Sequence, residues 1–175
     1  MTTTKLTVVK DDKTRYSSAS VKGRYGIYVE LEGEKPMELN FSHKGSKFLY
    51  IMTALLSAGD GLTSAFICSE QGKEMARKVL VDLYPAEKIN SDALFKSLLT
   101  EQKKEQLSKR LVVNHNFYQY LRNASAGIKE CCKDHPEVVD LLVPTSYTYQ
   151  GRTKTRKLKL DRECMIFPKE WTVNL

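Results

Sequence analysis

Hydrophobic periodicity changes twice along this chain, and that double change constrains the fold more than any single motif. Residues 25–41 alternate: Ile27, Val29 and Leu31 fall on one face of an extended segment, with Tyr28 and Glu30 on the other. A turn at 32–35 and renewed alternation at 37–41 predict a hairpin, and residues 6–9 form a further short strand after which the polar stretch 11–23 reads as a loop. The period then becomes helical. Ser42 is placed to cap a helix running to about Ser57, with Phe48, Leu49, Met52, Leu55 and Leu56 as its apolar stripe and Gly45 weakening its first turn. The glycines of 58–61 end it, and the apolar stretch 62–68 fits either period. Ser69 or Glu70 opens a second helix through Met75, Val79, Leu80 and Leu83, which Pro85 stops. Short helical patterns follow at 92–99 and 101–110, the latter heavily charged. Alternation returns at 146–149 and 153–160 around Gln150-Gly151-Arg152, a second hairpin, and residues 164–167 give a last strand closed by Pro168. The order of periods predicts an α+β fold.

The most regular segment lies at 114–133. At 100° per residue, Phe117, Leu121, Ala124, Ile128 and Cys131 share one narrow sector, and His115, Gln119, Arg122, Ala126, Lys129 and Lys133 lie opposite. Asn114 or Asn116 is placed to cap this helix, Gly127 weakens its interior, and Pro136 prevents a clean continuation. Residues 138–144 fit a short helix or a strand.

Composition enters through charge. The 175 residues carry 28 Lys and Arg against 21 Asp and Glu, a net charge of +7. Residues 1–100 contain 14 basic and 12 acidic residues; residues 101–175 contain 14 and 9. The excess concentrates in Arg152, Lys154, Arg156, Lys157 and Lys159, with no acid between them. On a strand, Arg152, Lys154 and Arg156 share a face and Thr153 and Thr155 the other, a comb that suits a row of phosphates or a charged, aggregation-resistant edge. No apolar run reaches the ~18 residues of a membrane span. The N-terminus offers only Val8-Val9 where an export signal needs a continuous apolar stretch, so a cytoplasmic chain is expected, with Cys68, Cys131, Cys132 and Cys164 reduced. Cys131-Cys132-x-x-His135 is a poor start for a metal site, because adjacent helical cysteines point about 100° apart, and no metal or cofactor is expected.

Catalytic patterns are absent. His43, His115 and His135 fall in different elements, and Gly59-Asp60-Gly61-Leu62-Thr63-Ser64 lacks the Lys-[Ser/Thr] of a phosphate-binding loop. Tyr118, Tyr120, Tyr147 and Tyr149 sit beside basic elements, where tyrosines stack on bases or pack; Tyr147 and Tyr149 share a strand face, which favours a core or cross-strand role. The polar stripe of 114–133 holds Gln119 and Arg122, long enough to reach base edges in a major groove, and Lys129 and Lys133, suited to phosphates.

The succession of a hairpin ending in Met37-Glu38-Leu39-Asn40-Phe41-Ser42, a helix at 43–56, a second helix, an amphipathic helix containing Tyr120-Leu121-Arg122 and a basic terminal hairpin resembles the winged helix-turn-helix effector domain of OmpR/PhoB-type response regulators. The resemblance is one of element order, covering 25–167. It implies that the third helix enters the major groove while the hairpin, as a wing, touches the minor groove or backbone. The chain departs from the family in three respects: residues 85–113 intervene between the second and third helices, the wing lacks a Gly-x-Gly-Tyr, and no receiver domain precedes it, so control by phosphorylation is not implied. The resulting expectation is an N-terminal strand and loop arm at 1–24, a winged-helix-like domain at 25–167 with a helical insertion at 86–113, and a tail at 168–175. It would bind double-stranded DNA as a transcriptional regulator without catalysis. Asn116, Gln119 and Arg122 are the candidate base contacts, and Lys129, Lys133, Arg152, Lys154 and Arg156 the candidate phosphate contacts. The alternative is a non-catalytic protein–protein module of the same shape meeting an acidic partner, with 1–24 or 86–113 as a dimerisation element.

Overall fold

A computed structural model describes residues 3–10, 25–99, 117–149 and 153–171, together with Gln106 and Lys109. The fold is mixed α+β. Strands β1 (Thr4–Lys10), β2 (Tyr25–Leu31) and β3 (Met37–Glu38) precede helices α1 (Lys44–Leu55), α2 (Ser64–Ile67), α3 (Glu70–Leu83), α4 (Ala86–Asn90), α5 (Ala93–Leu99), α6 (Phe117–Cys131) and α7 (Pro136–Leu142); β4 (Thr145–Tyr149), β5 (Thr153–Lys157) and β6 (Met165–Ile166) close the chain.

The expected first hairpin forms, with Tyr28 opposite Glu38 and Val29 opposite Met37. Gly33 turns it at φ +81°, a left-handed conformation that glycine adopts without a Cβ clash, and Glu34 N–H donates to the Leu31 carbonyl at 3.0 Å. The sheet order is β3-β2-β1-β6: β1 pairs antiparallel with β2, placing Leu6 opposite Val29 and Val8 opposite Ile27, and parallel with β6. Residues 4–10, read as part of an arm, thus form an interior strand of the sheet. Alternation left Tyr28 on the open face, yet it is buried, because Gly26 has no side chain and the ring folds over it.

Helix α1 is buried nearly all round; Tyr50, Ile51, Thr53 and Ala54 are enclosed along with the expected stripe. A helix without a wet face belongs at the centre of a core. Two of its buried polar side chains are satisfied, locally and across the core: Thr53 Oγ1 donates to the Leu49 carbonyl at 2.7 Å and Tyr50 Oη to the Leu142 carbonyl at 2.8 Å, whereas the buried Ser46 hydroxyl has no hydrogen-bond partner among the described residues. His43, not Ser42, holds the N-cap position, without a side-chain capping bond. The helix ends at the C-cap Leu56, and Gly61 (φ +85°) closes the turn that follows, its N–H donating to the Leu56 carbonyl.

The stretch that fitted either period resolves into both. Leu62 exchanges two backbone hydrogen bonds with Arg156 of β5, at 2.9 and 3.1 Å, and Thr63 then caps α2, its hydroxyl accepting from Phe66 N–H. Ser69 caps α3 in the same way through Gly72 N–H. Leu94, Phe95 and Leu98 of α5 enter the main core, where Phe95 meets Phe48 edge-on and stacks on Tyr84, so this part of the 86–113 stretch is integral to it. Pro136 starts α7 at its first turn, where its missing N–H costs no helical bond.

Residues from 168 onward, read as a tail, begin with an anchor. Trp171 is 1% exposed, packs 5.4 Å from the Tyr25 ring and donates from Nε1 to Asp82 on α3 at 2.7 Å. Trp171→Ala should therefore cost about 3–5 kcal/mol of stability. Denaturant unfolding checks this, and an unchanged midpoint would show that the anchor contributes nothing.

Candidate nucleic-acid interface

Helix α6 docks through the sector expected from its sequence: Phe117, Leu121, Ala124 and Ile128 are buried. Gly127 is a packing requirement, for a Cβ there would lie 2.8 Å from the Asn40 carbonyl. Asn40 N–H reaches Cys131 Sγ at 3.4 Å, tying the helix to the end of the first hairpin. The opposite side is open. Gln119, Arg122, Ala126 and Lys129 are exposed on it, and Lys133 is exposed in the turn that follows. The exposed polar groups are ordered by one another: Arg122 donates to Gln119 Oε1 at 2.7 Å, and Gln119 Nε2 donates to Asn123 Oδ1 at 3.0 Å.

The β4–β5 hairpin reaches the first turn of this helix through Arg156. Thr155 faces inward, 2% exposed, donating to the Asp60 carbonyl, while Lys154 faces out. This is the alternation of threonine and basic faces read from the sequence. Arg156 lies on the outer face but is half-buried. Its guanidinium sits 5.1 Å above the Tyr118 ring of α6 and donates to Ser146 Oγ at 2.9 Å. Burial, offset in part by Tyr118, lowers the pKa of Arg156, and the nearby charge of Arg122 lowers it further. Helix and hairpin therefore bring Arg122 and Arg156 together.

Other basic residues are arranged differently. Lys129 lies two turns beyond Arg122, about 10 Å along the axis at 1.5 Å per residue. Lys133 pairs with Glu130 at 3.8 Å and Lys159 with Asp140 at 3.2 Å, so two of the cations have local partners. Such exposed pairs are worth about 0–1 kcal/mol and exchange readily for a competing anion. Asn116 and Arg152 lie outside the described residues. Tyr147, expected in a core or cross-strand role, lies across the hairpin opposite Thr155 but is 41% exposed and not in the core.

Sequence reading missed the platform role of Tyr118 and the Leu62–Arg156 pairing. A one-residue bridge has no period to detect, and an aromatic beside basic elements does not say which arginine it will meet.

The Cys131–His135 cluster is divided among other tasks. Cys132 is buried and its thiol is pushed up to about 11 by burial and the neighbouring Cys131, which disfavours the thiolate a metal or nucleophile requires. His135 faces Glu34 at 3.5 Å and Glu137 at 3.8 Å. Among the described residues, no group of three His, Cys, Asp or Glu side chains could hold a metal ion, and no helix is long and apolar enough to cross a membrane.

Tyr118→Leu should cost about 1 kcal/mol, the worth of a partly buried cation–π contact. Adding Arg156→Ala to that background should cost less than Arg156→Ala alone, and equal costs in a denaturation-based double-mutant cycle would show that the contact carries no energy. No protein-family model matches the chain, and neither a curated protein nor a solved structure is detectably similar to it.

Proposed function

We propose that this protein is a non-catalytic, cytoplasmic double-stranded-DNA-binding protein of winged-helix type, acting as a transcriptional regulator. One observation carries the reading: an exposed polar ridge on α6 and a basic hairpin lie side by side, joined where Arg156 rests on Tyr118. A helix carrying Gln119 and Arg122 offers long side chains to a major groove, and a flanking strand with Lys154 and Arg156 outward suits the adjacent backbone. Lys129 and Lys133 extend the positive surface along the helix, and Arg152 and Asn116 complete the proposed contact set. In this arrangement α1, α3 and α6 correspond to the three helices and β4–β5 to the wing, with α4–α5 and α7 as additions. Pairing of Leu62 with Arg156 supports the wing assignment, since it holds the hairpin rigidly to the helical body.

A second reading has its own support. Tyr147 is exposed on the hairpin, opposite Thr155 and so on the other face from Lys154 and Arg156, and tyrosine and arginine are both enriched at protein interfaces, so the hairpin as a whole suits an acidic protein.

Fluorescence anisotropy on labelled random duplex separates the two. Binding at low salt and release at moderate salt is expected, with a slope of about 0.9 per phosphate neutralised. Replacing Arg152, Lys154 and Arg156 by Gln should weaken binding on every sequence and flatten that slope. Gln119→Ala should blunt sequence preference while leaving the slope alone. Absence of binding at micromolar protein would abandon the duplex reading in favour of the acidic partner.

A further inference from the structure

We propose that Arg122 and Arg156 together hold one phosphate group at the junction of α6 and the β4–β5 hairpin. Under the duplex-binding reading, on which only the source of the ligand rests, that group is a backbone phosphodiester.

The geometry comes from three side chains. Tyr118 and Arg122 stand four residues apart on α6 and are neighbours on its surface. The Arg156 guanidinium lies over the Tyr118 ring at 5.1 Å, one helical turn from Arg122, whose charge it feels from the other element. Both guanidiniums are oriented by neutral acceptors: Ser146 Oγ for Arg156, and Gln119 Oε1 for Arg122 at 2.7 Å. Among the described residues, no carboxylate lies within 4.0 Å of either. The contrast with Lys133 and Lys159 is local, since those cations have Glu130 and Asp140.

The two like charges, one of them half-buried, oppose each other in the free protein: burial depresses the pKa of Arg156 and the charge of Arg122 adds to it. A single anion between them reverses the sign of that interaction. Guanidinium forks suit this, because each presents parallel N–H donors that match phosphate oxygens and remains charged at any working pH. The Tyr118 ring and the Ser146 hydroxyl already restrict Arg156, so less side-chain entropy is lost on binding. Sharing one phosphate between helix and hairpin would set their common register on the ligand. It would also make Arg122 a clamp and leave Gln119 as the base-reading group.

The decisive measurement follows the Nε–Hε resonances of both arginines during titration with inorganic phosphate at constant ionic strength, assigned with Arg122→Lys and Arg156→Lys. Both signals should move with one apparent affinity, and Arg156→Gln should abolish the movement at Arg122. Movement of one signal alone, or of neither, overturns the shared site. On duplex DNA, Arg122→Gln and Arg156→Gln should each weaken binding about 10-fold, and the double variant by far less than the product of about 100-fold. The salt slope should fall by about 0.9 in all three. A multiplicative loss with a slope change of about 1.8 would instead assign the arginines to separate phosphates and overturn the proposal. Coordinated movement with inorganic phosphate but no duplex binding would support the site and remove the DNA reading. Duplex binding without that movement would do the reverse.

Discussion

Helix α1 offers water almost nothing, and the rest of the chain is arranged around that fact. Ten of its positions are buried, including Ser46 and Thr53, so it needs cover on every side. The sheet, α3 with α5, and α6 with α7 each supply part of that cover within one continuous core. Tyr50, reaching from α1 to the last carbonyl of α7, fixes the seam between the central helix and the outer pair. The strands at both ends of the chain join in the same way, for β6 returns from beyond the second hairpin to pair beside β1.

The basic face is a consequence of how α6 and the β4–β5 hairpin are seated. Gly127 lets α6 approach the Asn40 backbone, and burying Phe117, Leu121, Ala124 and Ile128 leaves Gln119, Arg122 and Lys129 facing out. Independently, Leu62 and Thr155 pin β5 to the turn after α1, which leaves Lys154 and Arg156 outside. Two separate packing solutions thus converge on one positive surface. The half-burial of Arg156 belongs to that convergence, since Tyr118 comes from one element and Ser146 from the other.

Much of this was legible in the residues. The buried sector of α6, the hairpin of β2 and β3 and the threonine-in, lysine-out alternation of β5 all follow from periodicity, which burial on one face imposes directly. Other features have no local signature. The burial of Tyr28 needed Gly26 beneath its ring, and the role of Gly127 needed a backbone from residue 40, so a glycine that looked like a helical flaw is a contact point. Trp171 gains its meaning from Asp82 and Tyr25, which are remote in sequence.

The sequence by itself determined the class of the fold, which faces of its elements are apolar and where along the chain positive charge accumulates, because each depends on residue spacing alone. Tertiary structure decided which of those charges meet. Arg122 and Arg156 belong to elements with no shared period, and only the contact of the hairpin with the helix through Tyr118 puts Arg156 within reach of the charge of Arg122. Lys129 and Lys133 carry the same sign, but Lys129 stands about 10 Å further along the helix and Lys133 in the turn beyond it. The +7 of the whole chain therefore acquires a location only when distant backbone segments pack.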